Sequence, residues 1–157
     1  MAAPAMGHLI CSVALVVLIL VLPGFFALER NSVAEDMAIR ELTEISDYTS
    51  STLENLFILA NSTNSHELTI TKELLYLPSD VDGSPYVLRI SSGDGVNASQ
   101  VIASLTDRSW VAGSSWLVPG LKITSNNSLT IGDYTVEAGC KRDASGFYVW
   151  IERGSDF

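Results

Sequence analysis

The chain has 157 residues, enough for one domain with an added segment, and carries a formal net charge of −9. That balance argues against a nucleic-acid partner, which needs Lys and Arg to displace counterions, and only three Lys are present. The two cysteines, Cys11 and Cys140, lie in contrasting stretches and provide no disulfide framework.

Residues 1–8 form a short N-terminal segment. From Leu9 to Leu28 the chain reads LICSVALVVLILVLPGFFAL, twenty residues without a charge, and all nine basic and eighteen acidic residues follow it. As a helix this run spans roughly 30 Å, the thickness of a hydrocarbon core. Its fourteen Leu, Ile, Val and Phe residues favour insertion by roughly 4–8 kcal/mol. The expectation is a transmembrane helix over 9–28, with membrane lipid as a partner. A cleaved secretory leader would carry a basic opening and an A-x-A-like site, and neither is present. Pro23-Gly24 reads as a kink within the helix. Arg30 and Arg40 favour a cytoplasmic C-terminal part by charge bias. Three N-x-S/T sequons, at Asn61, Asn97 and Asn126, favour an exterior one bearing N-linked sugar. The expected location is a cell membrane with an exterior C-terminal domain, or an extracellular filament.

Residues 29–60 continue as an amphipathic helix. Ala34, Ala38, Leu42, Ile45, Thr49, Leu53, Leu56 and Ala60 recur at steps of three or four, the period of one helical face. Most acidic residues of the segment fall off this stripe. No Gly or Pro occurs between Gly24 and Pro78, so nothing in the sequence breaks the helix before the capping-type residues that start at Asn61. The C-terminal half of the stripe is expected to pack on the protein's own sheet, the N-terminal half on a neighbouring subunit.

Residues 66–157 form a β-rich head. Candidate strands are Glu67–Leu77, Tyr86–Ser91, Gln100–Leu105, Ser115–Val118, Leu121–Thr124, Ser128–Ile131, Tyr134–Ala138 and Phe147–Arg153. Turn signals such as Asp82-Gly83, Pro119-Gly120 and the Asp143–Gly146 stretch separate them. The predicted fold class is α+β: a long N-terminal transmembrane and amphipathic helix packed on a C-terminal antiparallel β-sheet or sandwich. Trp110, Trp116 and Trp150 are expected to anchor the core, with an aromatic ligand cradle as the alternative.

Residue types that carry chemistry are sparse. His8 opens the apolar run and His66 lies in a polar loop, with no cluster of metal ligands around either. Asp80-x-Asp82-Gly83 resembles the start of a calcium loop, but Ser84, Pro85 and Tyr86 fill the later ligand positions. Cys140 precedes Lys141 and Arg142, which would lower a thiol pKa, yet no His lies nearby. The chain is read as having no catalytic residues, metal or cofactor.

The segment Leu77-Pro78-Ser79-Asp80-Val81-Asp82-Gly83-Ser84-Pro85-Tyr86 is similar to a strand–turn–strand element, LP-x-x-I/V-x-G-x-x-Y, of archaeal type IV pilin-like proteins. The overall plan of apolar helix, amphipathic continuation and β-rich head also resembles that family. The resemblance implies a structural subunit of a pilus-like surface filament, assembled with copies of itself or other pilin-like subunits through the N-terminal helix. It also implies processing after Gly7. No Lys or Arg precedes Gly7 and no acidic residue opens the helix, departures that suit an accessory or atypical member. The alternative is an anchored binding or stator module that holds cell-wall or surface-layer material.

Overall fold

The computed structural model describes residues 3–63, 65, 67–92, 99–124 and 128–154. The side chains of residues 3–6, 8, 9, 27, 28 and 31 lie outside that description. One helix, α1 (Ala3–Ser62), precedes eight strands among the described residues. These are β1 (Leu68–Glu73), β2 (Tyr86–Ser91), β3 (Gln100–Leu105), β4 (Ala112–Trp116), β5 (Lys122–Ile123), β6 (Ser128–Thr130), β7 (Val136–Asp143) and β8 (Gly146–Arg153). The chain divides into two compact units, Met1–Asp36 and Met37–Phe157.

The assignment of a transmembrane helix to 9–28 is corrected. Among the described residues no helix is long and apolar enough to cross a membrane. α1 continues through Pro23-Gly24 without a break, and its apolar run passes directly into the charged residues that start at Glu29. The membrane-spanning part of the predicted fold class is withdrawn with it. So is the localisation that rested on that span, a membrane with an exterior domain or an extracellular filament.

In the second unit the helical stripe reaches the core. Ala38, Leu42, Ile45, Thr49, Leu53, Leu56 and Ala60 are all buried. Strand alternation supplies the rest: Tyr86, Leu88 and Ile90 from β2, Val101, Ala103 and Leu105 from β3, Val136, Ala138 and Cys140 from β7, and Val149 and Ile151 from β8. Each set recurs at a spacing of two, which puts it on one face of a pleated strand.

The strands form two four-stranded sheets, in the orders β4-β3-β2-β6 and β1-β7-β8-β5. The first is antiparallel throughout. The second is not: β5 runs parallel to β8, pairing Lys122 with Tyr148 and Ile123 with Val149. The expectation of a purely antiparallel head is corrected on this point. β5 is a two-residue edge strand, too short for its direction to be legible from alternation.

The helix approaches the antiparallel sheet closely because the facing residues are small. A Cβ on Gly113 of β4 would run into the backbone at Leu42 and Thr43. At the same level Ser46 Oγ accepts from the Ala103 N–H at 3.2 Å and lies within donating distance of the Leu42 and Gly113 carbonyls, 2.9 and 3.1 Å. One turn on, the Ser50 hydroxyl donates to the Trp116 carbonyl at 2.7 Å. Hydroxyls thus tie helix to sheet where long apolar side chains would hold them apart.

The helix ends on the other sheet. Its last turn carries no basic residue, and Arg142 of β7 takes that role, its Nη1 donating to the carbonyls of Thr63 (2.7 Å) and Ala60 (3.4 Å). Those carbonyls would otherwise lack an intrahelical partner. The same guanidinium lies over the Phe147 ring, which meets Phe57 of α1 edge to face at 4.8 Å.

Candidate functional site

Two surfaces stand out once the core is accounted for. The first is in the unit Met1–Asp36. From Ile10 to Phe26, twelve large apolar side chains are exposed by 41 to 72%. They form no stripe. Leu15 to Leu22 are eight consecutive apolar positions, and at 100° per residue they point in every direction around the axis.

The second surface is in the unit Met37–Phe157. The chain leaves β1 through Leu74, which is buried and donates its N–H to the Val136 carbonyl at 2.8 Å. The turn that follows throws Leu75 and Tyr76 outward, 69% and 80% exposed. Tyr76 meets Tyr48 of α1 edge to face at 5.9 Å. Between them lies an open groove of about 620 Å³, with Glu41 and Glu44 of the helix on one wall and Leu75 and Pro78 on the other. The described ion pairs are those of Arg108 with Asp82 and Asp107, so none engages Glu41 or Glu44. Arg40, one turn before Glu44 on the same helix, is not paired with it either.

A smaller groove, about 450 Å³, lies beside Tyr148 and Trp150 on β8. Its aromatics are already engaged. The Trp150 indole lies over Gly139, where a Cβ would collide with it, and its N–H donates to Glu152 at 2.9 Å. The Lys122 ammonium lies 5.5 Å from the centre of the Tyr148 ring.

The residues singled out in the sequence do not converge on one site. Gly7 is exposed on α1, and Asn61 is exposed in the last turn of that helix rather than in a loop. Asn97, Asn126 and His66 lie outside the described residues, as does the side chain of His8. Among the described residues no group of His, Cys, Asp and Glu could hold a metal ion. Cys140 is buried, and that burial pushes its thiol pKa up, against the lowering expected from Lys141 and Arg142. The three tryptophans are not the core anchors they were expected to be. Trp110 and Trp116 are exposed, and Trp150 is half-buried on the outer face of its sheet.

The segment from Leu77 to Tyr86 is a structural knot. Asp82 and Gly83 both take left-handed backbone, φ 53° and 69°, and Val81 and Ser84 exchange two 3.0 Å hydrogen bonds across them. This is the two-residue hairpin for which Asp-Gly is suited. The carboxylate of Asp82 is held by Arg108 at 3.0 Å. The Tyr86 hydroxyl donates to the Pro78 carbonyl at 2.9 Å. Its pKa is pushed well up by burial, and further by Glu41 and Tyr134.

The groove residues Leu75 and Tyr76 were missed by strand reading, which ran the first strand on to Leu77. The signal was the run Leu74-Leu75-Tyr76-Leu77, four apolar residues where alternation allows two. Comparison with known protein families, with characterised proteins and with solved structures finds no match for this chain.

Proposed function

We propose that this protein is a structural subunit that assembles with copies of itself, its apolar helix forming the core of a type IV pilus-like filament. Kinship with the archaeal pilin-like proteins is part of that proposal. The reading rests on the exposure of the twelve large apolar side chains between Ile10 and Phe26. A helix that is apolar all round is stable only where it is covered all round. One partner covers one face, so several helices must surround each. Copies of the same helix meet that requirement, because no charge lies within 10–26 to be dragged into the bundle. Covering these side chains would release on the order of 10 kcal/mol or more per subunit, at about 25 cal/mol per Å² of apolar surface.

The test is sedimentation velocity and negative-stain electron microscopy of the purified full chain. Ordered particles of many subunits are expected. The double variant Leu15→Ser with Leu18→Ser should sediment as a monomer while melting at the same temperature. A wild-type chain that remains monomeric at every concentration would sink the reading.

A further inference from the structure

We infer that the groove between α1 and the Leu75–Tyr76 turn receives the helix of a second copy of this chain, with Arg30 of one copy seated between Glu41 and Glu44 of the next. The inference rests on the self-assembly proposed above and specifies one of its contacts.

The groove asks for a particular occupant. Its floor and one wall are apolar or aromatic, from Ile45, Tyr48, Leu75 and Pro78, and its other wall is two carboxylates that take part in none of the ion pairs among the described residues. A purely apolar segment would leave both carboxylates stripped of water and unpaired, which is costly. A purely basic segment would leave Leu75 and Tyr76 uncovered. The occupant must therefore be apolar along its length and carry one cation on the same face.

This chain has such a segment. Leu22, Phe26 and Arg30 follow one another at four-residue steps along α1, so they share a helical face, and Val33 and Met37 extend it. All five are exposed. Arg30 is the sole Lys or Arg before Arg40, in a chain whose acidic residues outnumber its basic ones two to one. Glu29 is displaced from that face by about 100°, so it need not enter the groove. The guanidinium suits the place better than an ammonium would, because its planar fork can pair with two carboxylates and also stack on the Tyr48 or Tyr76 ring.

The experiment is a charge exchange followed by sedimentation of the full chain. Arg30→Glu alone, and Glu44→Arg alone, should each raise the concentration needed for assembly by about tenfold or more, the range measured for close charge pairs at interfaces. Both changes are at exposed positions, so thermal melting should stay unchanged. The two changes in the same chain should restore assembly towards the wild-type concentration. Single variants that assemble as well as wild type would overturn the pairing while leaving the self-assembly reading in place. Singles that weaken assembly without rescue in the double variant would also overturn it. A wild-type chain that never assembles would remove both readings, and that outcome is distinct from the other two.

Discussion

Residues 10–26 and 38–60 of α1 share one backbone conformation and treat apolar surface in opposite ways. The first stretch is rich in Leu, Ile, Val and Phe and leaves twelve of them exposed. The second is poorer in large apolar residues, with Ser46, Thr49, Ser50 and Thr52 among its buried positions, and its stripe is covered by the protein's own sheets. Apolarity alone therefore does not say which part of a helix lies in the core. Fit to a surface does: the second stretch sets small residues and hydroxyls where β3 and β4 come close, and the first is dominated by large aliphatic and aromatic side chains. In the proposed assembly, neighbouring copies supply the cover that the first stretch lacks.

The contrast breaks most sharply at Gly113. Replacing it with Ala places a methyl group against the Leu42–Thr43 backbone, which cannot swing aside as a side chain would. The expected cost is about 3 kcal/mol, the upper end of the range for overpacking. Urea unfolding of the Gly113→Ala chain would show this as a lowered midpoint. A larger change in the first stretch, such as Leu18→Ser, falls on an exposed side chain and should change stability by less than about 0.5 kcal/mol. Equal losses at the two positions would erase the distinction between the stretches.

Ser46 sharpens the same contrast with a smaller effect. Its hydroxyl is a buried link between three backbone groups: the Ala103 N–H and the Leu42 and Gly113 carbonyls. In Ser46→Ala the Ala103 N–H loses that acceptor, and the expected loss is about 1–3 kcal/mol. Amide hydrogen exchange at Ala103 should speed up more than at Leu88, its neighbour on β2. Uniform exchange across β2 and β3 would mean that the hydroxyl merely fills space.

Much of the second unit was legible because its signals are local. The stripe from Ala38 to Ala60 follows the helical period, and Tyr86-x-Leu88-x-Ile90 and Val101-x-Ala103-x-Leu105 follow the strand period, so β2 and β3 occupy the predicted residues. Asp82-Gly83 announces its own hairpin. What stayed hidden depends on residues distant in sequence. Arg142 completes a helix end some eighty positions earlier, and nothing near Ala60 signals it. Gly139 selects where Trp150 lies, which is why that tryptophan covers the outside of the sheet. Trp110 and Trp116 were assigned to the core on size alone, but both follow the solvent side of their local backbone. The groove was hidden for a related reason. Glu41 and Glu44 looked like a solvated helix face, and the turn that makes them a wall begins some thirty residues later.

The smallest effect belongs to a turn that serves neither stretch of the helix. Asp143, the last residue of β7, accepts from the Ser145 backbone N–H at 2.7 Å and from the Ser145 hydroxyl. Both bonds favour the ionised carboxylate and hold its pKa below the usual aspartate range, the hydroxyl contributing most, with further help from the Gly146 amide and the Lys141 charge. A depressed folded-state pKa gives a contribution that is complete above the unfolded value, about 3.9, and is lost as pH falls through the folded one. The wild-type chain should therefore lose a little stability on acidification below about pH 4 that Asp143→Asn does not lose. Because the carboxylate is in water, solvent screens these bonds and the difference should be slight beside those at Gly113 and Ser46. Thermal melts of the two chains between neutral and acid pH would measure it. Acid limbs that coincide would show that the Asp143 carboxyl is not favoured in its ionised form by folding, and that the turn holds its shape through the Asp143–Gly146 backbone pairing alone.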